Sequence, residues 1–194
     1  MAGARQFNEE KALDAAMRVF WERGYTATTI DDLVGATSVK RGSLYLAYGN
    51  KEGLFLKALE TYTAKINDPL LDMLDSGDLL TSLRRVFELQ ARGGGADHPP
   101  GCLITQSAAE LGARRNTLGA ATRNVLDQIE QRLRRRIDRA ASEREISRAT
   151  NAGQLTQLVA GTMRALPLLR KASGGASAQS MADASMSAIR AWVK

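Results

Sequence analysis

Apolar positions recur three and four residues apart along nearly the whole chain. No segment alternates with the period of two that a strand bounded by turn residues requires. The pattern predicts one helix after another and an all-α fold. A first helix opens at Asn8, a good N-cap, carries Ala12, Leu13, Ala16, Val19 and Phe20 on one face, and stops at Gly24. A short second helix is capped by Thr28 or Thr29. It has Asp31 and Asp32 in its first turn, turns Ile30, Leu33 and Val34 inward, and ends near Ala36. A third spans about Arg41–Ala47, and Gly49-Asn50 breaks it. Asn50 caps a fourth helix that reaches roughly Ile66, before Asp68-Pro69.

Further helices are expected at about 79–92, 102–112, 117–142, 152–172 and 178–193. The third of these carries Leu118, Ala121, Val125, Ile129, Leu133, Ile137 and Ala140 at helical spacing, and at 1.5 Å per residue it is ~39 Å long. Residues 93–101, GGGADHPPG, are too rich in glycine and proline for a helix. Asn151 and Gln154 resemble a capping box, and Pro167 should kink the helix it lies in. All four tyrosines and three of the four phenylalanines lie in the first 62 residues. That shift in composition marks a domain boundary near Asn67, giving domains of 1–66 and 67–194. No internal repeat is visible.

Composition then narrows the class. The 194 residues are 44% hydrophobic and 25% charged, enough for a core and ordinary for a water-exposed surface. No apolar run approaches the ~20 residues of a membrane span, and the N-terminus lacks the apolar stretch of a secretory signal. A single cysteine, Cys102, excludes an internal disulfide and points to a reducing, cytoplasmic compartment. The net charge of +6 suggests a polyanionic partner, yet its distribution does not locate one. Residues 1–65 carry nine Lys/Arg against eight Asp/Glu, and the remainder 18 against 13. Much of the excess lies at Arg132, Arg134, Arg135, Arg136 and Arg139, read as a solvated helix face beside Glu130 and Asp138.

The local arrangement is more telling. The second and third helices, two short helices joined by TSVK, make a helix-turn-helix, and the second of the pair, within VKRGSLYLAYGNKEGL (residues 39–54), lies in the DNA major groove. Leu44 and Tyr48 fall four apart and face the core. Arg41 can donate two hydrogen bonds to a guanine edge. Ser43 and Tyr45 can donate to phosphates, and Leu46 can touch a thymine methyl. Gly42 removes a side chain where backbone must approach DNA. Lys51, in the first turn of the fourth helix, can hold a phosphate with the free backbone amides there, and Thr28 and Thr29 repeat that device at the second helix. The same residues also suit a plain polar corner of a helical protein.

The run Ala12–Leu59 resembles the DNA-binding domain of the TetR/AcrR family of bacterial transcription regulators. VFWERGYTATTIDDLV and SVKRGSLYLAYGNKEGLF carry the likeness, above all Leu44-Tyr45, Tyr48 and Asn50-Lys51-Glu52. The resemblance implies an N-terminal three-helix helix-turn-helix domain joined by the fourth helix to an α-helical ligand-binding and dimerisation domain. It implies a homodimeric repressor on a near-palindromic operator in double-stranded DNA, released by a small molecule. By the same resemblance Thr28, Thr29, Lys40, Arg41, Ser43, Tyr45, Leu46 and Lys51 occupy DNA-contacting positions. Two features depart from the family. Lys40 stands where a small capping residue is usual, so Ser38 is a substitute cap, and Leu46-Ala47 replaces a pair that is commonly aromatic or histidine.

In the second half, Cys102 falls at a helix start, where the helix dipole favours a reactive thiolate. It is either a thiol sensor or a small packed hydrophobe. His98 lies four residues before it, but with Asp97 and Glu110 it makes a poor ligand set, so no metal or other cofactor is expected. A pocket for an unidentified inducer would draw on Leu83, Phe87, Leu103, Gln106, Glu110, Leu126 and Met163, each of which equally suits a core. Two stripes suit dimerisation. One is Leu155, Leu158, Val159, Thr162, Met163 and Leu166. The other is Met181, Ala184, Ser185, Ala188, Ile189 and Trp192. An enzyme is disfavoured by the single histidine, the single cysteine and the absence of a phosphate loop after a strand. A helical adaptor that binds only protein would have no use for Arg41, Tyr45 and Lys51 on one segment.

Overall fold

The computed structural model describes residues 7–95 and 98–193. In chain order its helices are α1 (Glu9–Arg23), α2 (Ile30–Thr37), α3 (Arg41–Tyr48), α4 (Lys51–Tyr62), α5 (Asp68–Asp72), α6 (Leu79–Arg92), α7 (Leu103–Leu111), α8 (Thr117–Ser142), α9 (Ala152–Ser173) and α10 (Gly175–Arg190). Among the described residues the only β pairing is one antiparallel bridge, Ile146 with Val193. The fold is all-α.

The chain divides into two compact units. The first runs to Lys65 and takes in Leu103–Arg123; the second is Ile66–Cys102 with Asn124 onward. Residues 103–123, expected in the second domain, pack instead in the first unit, because Leu103, Ile104 and Leu111 of α7 are buried and α7 lies on α1 and α4. Composition follows chain order, whereas packing follows whichever apolar face is available.

In the first unit the starts of α1, α2 and α4 are each closed by a side chain. Asn8 accepts from the Lys11 amide at 2.9 Å, and Asn50 from Gly53 at 2.9 Å. Thr29, not Thr28, caps α2: its hydroxyl accepts from the Asp32 amide, and the Asp32 carboxylate accepts from the Thr29 amide. Those bonds from Thr29 hold the Asp32 carboxyl below its usual range. The clustered aromatics form the core. Phe20 meets Phe55 edge-on at 5.2 Å, Tyr25 meets Phe55 at 5.0 Å, and Trp21 meets Tyr62 at 4.8 Å. Each such pair adds about 0.5–1.5 kcal/mol beyond area burial, which suits a domain too small for a broad aliphatic core.

The fourth helix does not stop at Ile66. A π-turn over Thr63–Asn67 resets the register, and α5 follows with Pro69 in its first turn, where a missing amide costs nothing. Lys65 within that turn bonds Glu10 at 3.0 Å and Asp14 at 2.8 Å on α1.

In the second unit α9 packs on α10, and α6 packs on both. Helix α9 continues through Pro167. The expected dimer stripes divide. Leu155, Val159, Thr162, Met163, Leu166, Ser185 and Ile189 are buried within the protomer, and the Thr162 hydroxyl donates to Ser185 Oγ at 3.1 Å, so these residues face inward and are not free for a partner. Leu158, Met181 and Trp192 are partly buried against the same core, whereas Ala184 and Ala188 are exposed. Periodicity finds the apolar stripe; it does not say which of two neighbouring stripes the protomer covers itself.

The arginine run is not one solvated face. Arg132 pairs with Asp72 and Asp75, Arg139 with Asp75 at 2.8 Å, and Arg134 with Asp138 at 2.9 Å. Arg136 is only 3% exposed. It donates to the Leu74 carbonyl at 2.7 Å, to the Gly77 carbonyl at 3.1 Å and to both oxygens of Glu145 at 3.2 Å. Glu145 also accepts from the Leu79 amide. Burial raises the Glu145 carboxyl, but Arg136 and the Leu79 amide outweigh it and bring it below its ordinary 4.5. Glu145→Ala leaves a buried guanidinium without its counter-charge and should cost about 3–5 kcal/mol in urea denaturation. Because the folded value is depressed, the stabilisation is complete above pH 4.5 and is lost as pH falls through the lower folded value. Glu145→Gln should remove that part of the acid dependence.

Candidate nucleic-acid interface

Helices α2 and α3 meet through Ser38, Val39 and Lys40. Ser38 is left-handed (φ 56°) and ends α2, its amide donating to the Val34 carbonyl at 2.9 Å. It therefore does not cap α3. Lys40 occupies the N-cap of α3 and makes no side-chain capping bond. The turn is pinned by buried Val39, and α3 is pinned by Leu44.

With Leu44 inward and Tyr48 half-buried, the opposite face of α3 presents Arg41, Gly42, Tyr45 and Leu46 to solvent, with Ser43 half-buried at its edge. Leu46 is 86% exposed and Tyr45 40%. A leucine this exposed on an eight-residue helix has no role in the protomer's own core. Among the described residues, beyond its chain neighbours and the helix's own backbone, nothing lies within 4 Å of where a Gly42 Cβ would be, so packing does not require glycine there. Arg41 is exposed and bonds Asp31 of α2 at 2.5 Å. The two are ten positions apart across a turn, and no periodic signal links them.

Two expected phosphate ligands lie elsewhere. Lys51 donates to the carbonyls of Tyr25 at 2.9 Å and Thr28 at 2.7 Å, and its ammonium lies 4.3 Å from the centre of the Tyr25 ring. Thr28 is 1% exposed, and its hydroxyl donates to the Gly24 carbonyl at 2.6 Å. Both residues build the α1–α2 corner. Thr29 stays exposed at the start of α2.

The comparisons with known proteins agree with this geometry. The pattern described as bacterial regulatory proteins, tetR family, matches residues 12–58. The pattern described as a tetracyclin repressor-like C-terminal domain matches residues 80–186, more than half of the chain. The chain belongs to the TetR family. Among TetR-family relatives, the HTH-type transcriptional repressor ComR of Escherichia coli is 50% identical over 56 residues, 29% of this chain and 27% of ComR. The transcriptional regulator AcuR of Cereibacter sphaeroides is 30% identical over 128 residues, 63% of this chain and 58% of AcuR. This TetR-family chain thus spans from about a quarter to under two thirds of these relatives' lengths. A cysteine mutant of the TetR regulator CifR, bound to 26-base-pair operator DNA, superposes with a TM-score of 0.82 at 26% identity, over 97% of this chain and 98% of that one. As a TetR-family member the protein is a DNA-binding transcriptional regulator, not an enzyme.

The inducer candidates divide between the two units. Leu83, Phe87 and Met163 belong to the core of the second unit. Phe87 also borders a small cleft of about 180 Å³ with Arg84, Glu88 and Asp183. Leu126 and Cys102 are half-buried in that unit, whereas Leu103 is buried and Gln106 half-buried in the first. Glu110 is committed to backbone amides at the α1–α2 corner. His98 turns Nδ1 to the Gly94 carbonyl, Asp97 lies outside the described residues, and no group of three or more metal-ligating side chains forms among the described residues. No described helix is long and apolar enough to cross a membrane.

Lys51→Met should lower stability by about 1–3 kcal/mol, because two carbonyls lose a charged donor. Its salt slope of DNA binding should match the wild type, whereas loss of a phosphate contact reduces that slope by about one.

Proposed function

We propose that the protein is a cytoplasmic, homodimeric repressor that reads a near-palindromic operator through α3. The observation that carries this reading is the exposed face of α3, where an unprotected Leu46 lies among Arg41, Ser43 and Tyr45. Arg41 reads a guanine edge, Leu46 packs on a thymine methyl, and Ser43, Tyr45, Thr29 and Lys40 hold phosphates. Gly42 lets the backbone approach. In the free protein Asp31 holds Arg41, so DNA must displace a carboxylate to engage that guanidinium.

Selection of DNA sites from a random pool tests the reading. A near-palindrome is expected, with half-site centres about 34–36 Å apart or a multiple of that spacing. Enrichment of no sequence would sink it. Arg41→Ala should cost about 1–3 kcal/mol on the selected site and relax specificity at one base position, read by gel-shift titration.

The dimer uses the faces of α9 and α10 that the protomer leaves open. Ala184 and Ala188 are exposed on α10, and on α9 Leu168 is 54% exposed near exposed Gly161. Small residues allow two such helix pairs to close into a four-helix bundle. Ala188→Glu should shift the protein to monomer in analytical ultracentrifugation at micromolar concentration and weaken operator binding, while leaving the protomer folded. Release from DNA follows binding of a small molecule or modification of Cys102. Supporting the thiol route, Cys102 is a free, half-buried thiol at the residue before α7 begins, and the CifR operator complex was solved with cysteine mutants of that protein.

A further inference from the structure

The α1–α2 corner has no helix of its own and is gripped from two sides. From α4, Lys51 takes the carbonyls of Tyr25 and Thr28. From α7, the Glu110 carboxylate takes the adjacent amides: Oε2 accepts from Tyr25 at 3.0 Å, and Oε1 accepts from Thr26. Two consecutive N–H groups aimed at one anion form a small backbone nest. The fit is close. Gly24 has φ +80°, and a Cβ there would lie 2.9 Å from Glu110 Oε2. Arg114, just beyond α7, reaches Thr26 Oγ1 at 3.5 Å. All these residues belong to the same compact unit.

Thr29 begins α2 three residues after Thr26, and Asp31 in the first turn of α2 holds Arg41 of α3. The other α7 residues buried in this unit, Leu103, Ile104 and Leu111, are apolar and non-directional, with Ser107 beside them. Glu110 is a directional link from α7 to the corner.

We infer that Glu110 is a positioning residue: its carboxylate on α7 sets the α1–α2 turn, and through the start of α2 it sets the operator-reading face of α3. Displacement of α7 withdraws the carboxylate and loosens that face. The inference rests on the DNA-binding reading above. It requires a carboxylate, because a glutamine offers one acceptor oxygen and turns its NH₂ toward an amide that has nothing to accept with.

The test uses the full chain with its selected operator. Glu110→Gln and Glu110→Ala should each weaken operator binding roughly tenfold in fluorescence anisotropy at low salt, the scale of one lost charged hydrogen bond. Amide exchange at Tyr25 and Thr26 should accelerate by a similar factor, with Phe20 in the body of α1 unchanged. Wild-type affinity in both variants overturns the inference. So does faster exchange with unchanged affinity, which is a purely structural bond, and so does weaker binding with unchanged exchange at the corner. If the wild type binds no selected site, the regulator reading falls first; if it binds and the variants bind equally, only the role of Glu110 falls.

Discussion

The Lys51 ammonium, between the carbonyls of Tyr25 and Thr28 and over the Tyr25 ring, is the contact on which the DNA-binding unit depends. A helix-turn-helix works only if the start of α2 is fixed, and the segment before it has no helical hydrogen bonds of its own. Its backbone groups must therefore be satisfied by charged side chains from elsewhere. Lys51 supplies donors from α4 and Glu110 supplies acceptors from α7, so a cation and an anion hold opposite sides of the same turn. Tyr25 ties this polar grip to the core by meeting Phe55 edge-on.

With the corner fixed, α3 can carry residues that no folded interior would choose. Leu46 in water is unfavourable for the free protein, and Arg41 is held by a carboxylate that DNA must displace. Both features make sense as a surface whose partner arrives later. The second unit solves a different problem. It has few aromatics, so it relies on close aliphatic packing of α6, α9 and α10 and on the buried Arg136–Glu145 pair, which closes the turns at Leu74 and Gly77.

Much of the fold is legible locally. The helix starts at Asn8, Asn50 and Asn151 and the stops at Gly24 and Gly49 follow from side-chain caps and positive φ, which act over three or four residues. The inward turn of Leu44 and the outward turn of Arg41 and Leu46 follow from helical spacing. The errors are of another kind. Lys51 read as a phosphate ligand because residue type and position in a helix both fit; what it binds lies 23 and 26 residues away. Ser38 read as a cap for α3, but its left-handed backbone ends α2 instead. The dimer stripes were correctly apolar, yet most of their bulk is covered by the protomer itself.

Taken alone, the order of residues determined the all-α class, the helix-turn-helix and the outward face of α3, because hydrophobic period, caps and breakers act within a few residues of one another. Tertiary structure alone decided which charges are free. Arg41, Lys51, Glu110 and Arg136 are equally polar in the sequence, but one faces solvent, two build a turn and one is buried. A charged group goes where a counter-charge or an unsatisfied backbone group needs it, and for these four the partners lie 9 to 85 residues away.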